Sequence, residues 1–349
     1  MNPSIPQDIV IEIFSWLPTK SLMRFMCVTK FFNSLVFESN FMDIHRCRSL
    51  IRPGGKKLFL HGRKFYCTAD LQKEDGKNSA SILQIESFGE LPFHIHVLSS
   101  VNDLFLIWQP FSVQSATILN PSTREVKFLP NLIEGFSWCH YSLGFEPEEN
   151  KYKVLSTAKY DQEGYIKNRV FTFGIDESWR ETKSIPPPIL CKPGICINGV
   201  IYKSVFHRGL AIAAFDVKTE NSKLIALGDV SHGWHHELIE VKGKLGVVVY
   251  EKRPHGHIHL QVLGQTQKKD EWESHTIHFP STWKHIQPKV ISPCTSGDGE
   301  IVFIANLKSG ILCLCYDVTK QSWRKLEIKG LPKNQYIKGI CSYVEKLVI

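Results

Sequence analysis

Residues 311–328 read ILCLCYDVTKQSWRKLEI. An apolar run from Ile311 to Tyr316 is followed by a turn of Asp317, Thr319, Lys320 and Gln321. A second run then carries Trp323, Leu326 and Ile328. This is the pattern of strand, turn and returning strand. The same order recurs upstream in SATILNPSTREVKFLP (115–130), VFTFGIDESWRETKSI (170–185) and AIAAFDVKTENSKLIAL (211–227), and with a longer turn in HIHLQVLGQTQKKDEWESHTI (257–277). The first residue of each returning strand is Val126, Trp179, Ser222, Trp272 and Trp323, at successive spacings of 53, 43, 50 and 51. A repeat near ~50 residues, with four short strands per unit, is the signature of kelch-like propeller blades, and the chain beyond residue 55 has room for about six. A β-sandwich or two separate sheet domains would compete. A closed ring is preferred because it protects the edges of so long a series of hairpins. The segment GICSYVEKLVI (339–349) reads as a strand, through Tyr343, Val344, Leu347, Val348 and Ile349, and is expected to close the ring beside a strand near Lys57–Leu60.

Before residue 45 the periodicity is different. In IPQDIVIEIFSWLP (5–18), Ile5, Ile9, Val10, Ile13, Phe14 and Leu17 form one broad apolar stripe of an α-helix. Pro6 suits the first helical turn and Pro18 stops the helix. Thr19 is the expected cap of a second helix through Leu22, Phe25 and Met26. TKFFNSLV (29–36) supplies a third helix, and Arg52-Pro-Gly-Gly marks the turn into the first strand. Three helices of about 40 residues make a marginal domain, so this part should lean on a partner or on the rest of the chain. The predicted fold is α+β by segregation. A small three-helix domain (1–45) precedes an all-β, kelch-like propeller of about six blades (46–349).

Composition excludes several classes of function. The 349 residues are 43% hydrophobic, so a substantial core is available. The net charge of +8 is scattered, with no basic stripe or recognition motif for nucleic acid. Ten cysteines occur without a Cys-x-x-Cys pair, and no Asn-x-Ser/Thr acceptor is present. Asp8 and Glu12 interrupt the N-terminal apolar stretch, which argues against a signal peptide. No run of about 18 uncharged apolar residues could span a bilayer. The expectation is a reducing compartment, cytoplasmic and/or nuclear, with free and mostly buried thiols and no membrane contact.

Catalytic signatures are weak throughout. His255, His257 and His259 would share one face of an extended strand, a possible metal face, but a polar strand edge explains them as well. Cys313 and Cys315 share a face and read as a buried pair. There is no Gly-x-Ser-x-Gly elbow and no phosphate loop. No catalytic residue, metal site or cofactor is expected, and the tryptophans at the repeat positions read as core aromatics.

Two resemblances cover nearly the whole chain. Residues 4–43 resemble the F-box family through Ile5-Pro6-x-Asp8, Ile13-Phe14, Leu17-Pro18, Lys20-Ser21-Leu22, Arg24-Phe25, Cys27-Val28, Lys30 and Phe41. Phe32 keeps the aromatic bulk where plant-type F-boxes usually carry Trp. The remainder is similar to the plant F-box-associated domain, through Ile118-Leu-Asn-Pro-Ser-Thr-Arg124, Tyr141-Ser-Leu-Gly-Phe145, Asn150-Lys-Tyr-Lys-Val154, Ser178-Trp-Arg180 and Gly194-Ile-Cys-Ile-Asn-Gly-Val-Ile-Tyr202. Phe215-Asp216 and Lys242-Gly-Lys-Leu-Gly246 add to it.

The resemblance implies a non-enzymatic substrate receptor of a Skp–cullin–F-box ubiquitin ligase. The F-box would bind a Skp-type adaptor, and through it cullin and RING subunits, while the β domain recruits a target protein that the sequence does not identify. It also places Ile5, Pro6, Ile9, Leu17, Pro18, Leu22, Val28 and Phe32 at or just beneath the adaptor-facing surface. For the target, loops at one propeller face are the default recognition surface, and Trp138, His140, Trp234, His235 and Trp283 are the candidates. The rival readings are a propeller-type enzyme or binding module for a carbohydrate or metal, and a Skp-bound protein acting outside any ligase.

Overall fold

The computed structural model describes residues 5–62, 65–74, 77–87, 97–109, 116–132, 135–160, 166–182, 189–190, 192–206, 210–227, 235–250, 257–264, 271–281, 290–295, 299–307, 310–331 and 337–347. Four helices come first, one more than the sequence predicts: α1 (Gln7–Ser15), α2 (Thr19–Phe25), α3 (Lys30–Val36) and α4 (Ser39–Ile51). Helix α4 runs past the expected boundary at 45, and the chain turns at residues 52–55 before the first strand. Thr29 caps α3, its hydroxyl accepting from the Phe32 N–H at 3.1 Å.

Six units then follow as blades of a propeller, five of four strands and one of five. Blade one is made from both ends of the β domain: β1 (Lys56–Gly62), β2 (Phe65–Glu74) and β3 (Lys77–Ser87) are joined by a strand from the far end of the chain. Blade two is β4 (Val97–Val101), β5 (Leu104–Trp108), β6 (Thr117–Asn120) and β7 (Glu125–Phe128). Blade three is β8 (Phe136–Glu146), β9 (Lys151–Tyr160), β10 (Ile166–Thr172) and β11 (Arg180–Glu181). Blade four has β12 (Ile189–Leu190) and β13 (Ile195–Ile197) both paired to β14 (Val200–Phe206), then β15 (Leu210–Asp216) and β16 (Ser222–Ala226). Blade five is β17 (His235–Val241), β18 (Lys244–Tyr250), β19 (His257–Leu263) and β20 (Trp272–His278). Blade six is β21 (Val290–Thr295), β22 (Glu300–Leu307), β23 (Gly310–Asp317) and β24 (Ser322–Lys329).

The strand β25 (Ile337–Val344) closes the ring by pairing antiparallel with β1, with Lys57 opposite Tyr343 and Leu60 opposite Ile340. Closure therefore falls at the register position that the sequence indicates. It does not use the whole predicted strand, because β25 ends at Val344 and Leu347 packs elsewhere. Val348 and Ile349 lie outside the described residues. A parallel pairing of β24 with β3 adds a second seam between blades six and one.

Each blade buries both faces against its neighbours, which explains why ILCLCY is apolar without alternation. Leu312, Leu314 and Tyr316 pack toward blade five with Ile258, Leu260 and Phe303, whereas Ile311, Cys313 and Cys315 pack toward blade one with Leu58, Leu60 and Cys67. Burial raises the thiol pKa of Cys313, and raises that of Cys315 to about 12, as expected of core residues. The repeat tryptophans are half-buried rather than core. Each indole N–H donates to a carbonyl at the outer rim of the preceding blade: Trp179 to Pro130 at 2.7 Å, Trp272 to Ala226 at 2.9 Å and Trp323 to His278 at 3.0 Å. They recur because blades three, five and six each use one to hold the blade before it.

Candidate functional site

Two surfaces carry the features that point to function. On the helices, α1 is apolar on two sides. Val10, Phe14 and Leu17 turn inward to a small core with Leu22, Leu35, Val36 and Phe41, where Phe14 stacks on Phe32 at 4.6 Å. Ile5, Ile9 and Ile13, one turn apart on the other side, are 62%, 46% and 50% exposed, and Val28 is 65% exposed. An apolar patch of this kind on a marginal module is an interaction surface, because a soluble monomer has no stabilising use for it.

The eight residues expected at the adaptor surface therefore divide. Ile5, Pro6, Ile9, Pro18 and Val28 are exposed, and Leu17 and Phe32 are half-buried. Leu22, with 0% exposure, lies beneath the surface in the module's core. Ile13, Phe25 and Phe31 are exposed as well. A stripe wide enough to cover two faces looks the same in sequence as one wide buried face. The surface is braced by Arg48 of α4, which forms paired 2.6 Å hydrogen bonds to Glu12 and lies 4.5 Å above the Trp16 ring. That hydrogen bond holds the Glu12 carboxyl below its usual pKa.

Thr19 does not cap α2 with its hydroxyl. Its backbone N–H donates instead to Glu345, at 2.9 Å, from just beyond the closing strand. The helices are thus anchored on one end of the ring. Arg46 of α4 reaches Asn102 at 2.7 Å and Asp103 at 2.8 Å, in the tight turn between β4 and β5. The equivalent turns at Asn198-Gly199 and Lys242-Gly243 follow round the same side, linked by the Asn198 amide donating to the Gly243 carbonyl at 3.0 Å. Each of these turns places two successive residues at positive φ, the requirement of a type I′ hairpin. The N-terminal ends of the inner strands β8 and β17 therefore point to the opposite face of the propeller.

That opposite face holds the candidate target residues that are described. Trp138 and His140 sit together near the start of β8, with rings 5.4 Å apart, and Trp138 packs on Val205, Ala211 and Ala213 of blade four. Burial, helped by the Lys203 charge, lowers the His140 pKa to about 4, so its ring is neutral at pH 7. His235, exposed at the start of β17 in blade five, stacks on Tyr250 of the paired strand β18. Trp234 and Trp283 lie outside the described residues. The possible metal face is only partly described. His257 lies 5.1 Å from His259 and 5.9 Å from His278 by ring centres, His255 falls outside, and no group among the described residues is arranged to hold a metal ion.

Between the two faces runs the axial channel, a cavity of about 470 Å³ lined by Ser99, Gly194, Cys196, Cys294, Gly339 and Cys341, with Arg46 and Asp103 at the helical end. Small side chains suit the crowded axis. A Cβ on Gly339 would sit 2.2 Å from the His61 ring.

Two family descriptions match along the chain. The family description "F-box domain" matches residues 3–44, and "F-box associated beta propeller domain" matches residues 59–347. The F-box protein DOR of Arabidopsis thaliana is 28% identical over 348 residues, covering 94% of this chain and 88% of that protein. F-box protein At5g65850 of the same plant is 30% identical over 296 residues, covering 80% of this chain and 72% of its own. Among solved structures, a lectin mutant from Aleuria aurantia aligns at 12% identity with a TM-score of 0.47, covering 78% of this chain and 91% of the lectin.

Proposed function

The chain belongs to the F-box proteins that carry an F-box-associated β-propeller, and on that premise we propose that it is the substrate receptor of a Skp–cullin–F-box ubiquitin ligase. The helices dock on a Skp-type adaptor, which connects to cullin and RING subunits, and the propeller face opposite them recruits a target protein. The observation that carries the reading is the exposed apolar set Ile5, Ile9, Ile13 and Val28 on a module whose interior is already filled. The receptor itself carries out no bond-making step, since ubiquitin is delivered on the RING arm. Its role is to hold a target at a fixed place relative to the adaptor. The proposed site of action is the cytoplasm or nucleus, which accords with nine described cysteines that are all free.

Burying one exposed aliphatic side chain contributes about 1.5–3 kcal/mol, and a few central residues dominate most interfaces. Ile9 and Val28 make a cleaner probe than Leu17 and Pro18, because Leu17 also packs inward and Pro18 is the residue that leads into α2, where its ring fixes φ. The Ile9→Ala/Val28→Ala double variant should bind a purified Skp-type adaptor at least tenfold more weakly, equivalent to about 1.4 kcal/mol, with an unchanged circular dichroism spectrum. Calorimetry of wild type and variant tests this. Absence of binding by the wild-type chain refutes the receptor reading, and equal affinity in the folded variant refutes the proposed surface.

A further inference from the structure

We infer that Glu345 and Leu347 are positioning residues for adaptor docking: they complete the helical module from outside it, so the module reaches its docking form only when the ring has closed. The inference rests on the receptor reading and adds a requirement that the F-box stretch does not contain.

Beyond Val344 the chain leaves the closing strand and passes under the helices. The Glu345 side chain, 3% exposed, accepts the Thr19 N–H through Oε2 at 2.9 Å. The same oxygen meets Arg52 at 2.5 Å, and Oε1 meets Lys57 at 2.8 Å. One carboxylate thus joins the first turn of α2, the turn after α4 and the first strand of the ring. Pro18, the residue before α2, offers no side-chain acceptor, so Glu345 supplies one at that end. Burial opposes its charge, but the hydrogen bonds from Lys57 and Thr19 outweigh burial and hold the pKa below the usual carboxylate value.

Two residues further on, Leu347 is 5% exposed and fills the module's own core beside Phe14, Leu22, Leu35, Val36 and Phe41. It is one of only six buried residues there, so its loss removes a large share of a small interior. The connecting backbone is fixed to blade two, where the Asn120 amide donates to the Lys346 carbonyl at 3.1 Å and the Lys346 N–H donates to the Ser122 hydroxyl at 3.1 Å. Asp103, already paired with Arg46 of α4, accepts the Val344 N–H at 2.8 Å. The acceptor for Thr19 comes from 326 positions away in sequence. The F-box helices can therefore be made early in synthesis, but their last cap and core residue become available only as the ring closes.

The test uses the full chain with Glu345→Gln and, separately, Leu347→Ala. Hydrogen–deuterium exchange of α2 and α3 is measured beside exchange of β18 and β19 in blade five, and affinity for a purified Skp-type adaptor is measured in parallel. We expect α2 amides to exchange at least tenfold faster in both variants, blade five to be unchanged, and adaptor affinity to fall at least fivefold. Leu347→Met, which refills the core, should restore both readouts. Wild-type protection of α2 in the Leu347→Ala protein would overturn the inference. So would equal loss of protection in α2 and blade five, which would mark general destabilisation. The exchange measurement needs no adaptor. If the wild type fails to bind adaptor, the receptor reading falls, while exchange still decides whether the ring end completes the module.

Discussion

Between blades five and six, Ile258, Leu260, Phe303, Leu312, Leu314 and Tyr316 form one continuous apolar layer, with Trp323 covering it against Phe279 at 5.0 Å and tying it to the His278 carbonyl. Between blades three and four the corresponding buried layer, among the described residues, is Leu155, Val170, Ile201, Phe215 and Val217, with a smaller patch of Val205, Ala211 and Ala213. A polar row separates the two parts. His140, Thr157 and Asn168 face one another across β8, β9 and β10, and Lys203 of blade four enters among them. Lys203 is 2% exposed, its Nζ donates to the Thr157 hydroxyl at 2.9 Å, and no carboxylate pairs with it among the described residues. The repeat position that is Trp in blades three, five and six is Ser222 in blade four, and ion pairs of Glu220 with Lys153 and Arg180 link the two rims instead. Two joints of one ring are thus built from opposite materials, and the polar one carries Trp138 and His140 on the candidate target face. A closed ring tolerates this because each blade is also held by its other neighbour.

The largest expected effect is at the apolar joint. Phe303→Ala should cost about 3–5 kcal/mol, since it removes a buried ring from a filled layer and leaves a cavity. Chemical denaturation measures it, and a loss below about 1 kcal/mol would mean that the layer closes over the gap.

At the polar joint the sign reverses. Burial lowers the Lys203 pKa from 10.5 to about 7. Between those values the unfolded chain binds a proton that the folded chain does not, so stability rises with pH across this window and the full cost of the buried charge is present below it. Lys203→Met keeps the length and removes the charge. It should stabilise the protein by on the order of 1–3 kcal/mol at pH 6 and abolish the rise between pH 7 and 8. Lys346, whose pKa burial lowers from 10.5 to about 8, would still contribute a rise at higher pH. Thermal melts of both proteins from pH 6 to 9 test this, and a less stable variant at pH 6 would show that the Thr157 hydrogen bond outweighs the charge penalty.

The smallest effect concerns the indole tie. Trp323→Phe keeps an aromatic ring over Phe279 and loses one hydrogen bond, for about 0.5–1.5 kcal/mol. The same change at Trp272 should cost a similar amount, because its donor reaches the equivalent rim carbonyl. Unequal losses in denaturation experiments would show that the two ties are not equivalent.

Much of this architecture is legible in the chain. Strand–turn–strand units, their spacing near 50, the closing segment near Ile340 and the helical start all follow from local pattern. Asn198-Gly199 and Lys242-Gly243 also announce their tight turns, since positive φ at two successive positions restricts the choice of residues. What local pattern leaves open is partnership. The two apolar sides of α1 are indistinguishable until Leu22, Leu35 and Leu347 fill one of them. A single lysine in IYKSVF gives no sign that Lys203 will be buried with no carboxylate paired to it among the described residues. Glu345 reads as a polar residue in a terminal strand, yet it caps a helix 326 positions away. By itself the sequence determined that helices come first and that strand–turn–strand units repeat after them, though it did not mark α4, because those patterns depend on backbone preference and on side-chain spacing along a few residues. The tertiary structure decided which apolar faces remain free, where a buried charge goes unpaired, and how the ring holds the helices. Those outcomes depend on the shape and charge of whatever arrives from elsewhere in the chain, which no short stretch of residues encodes.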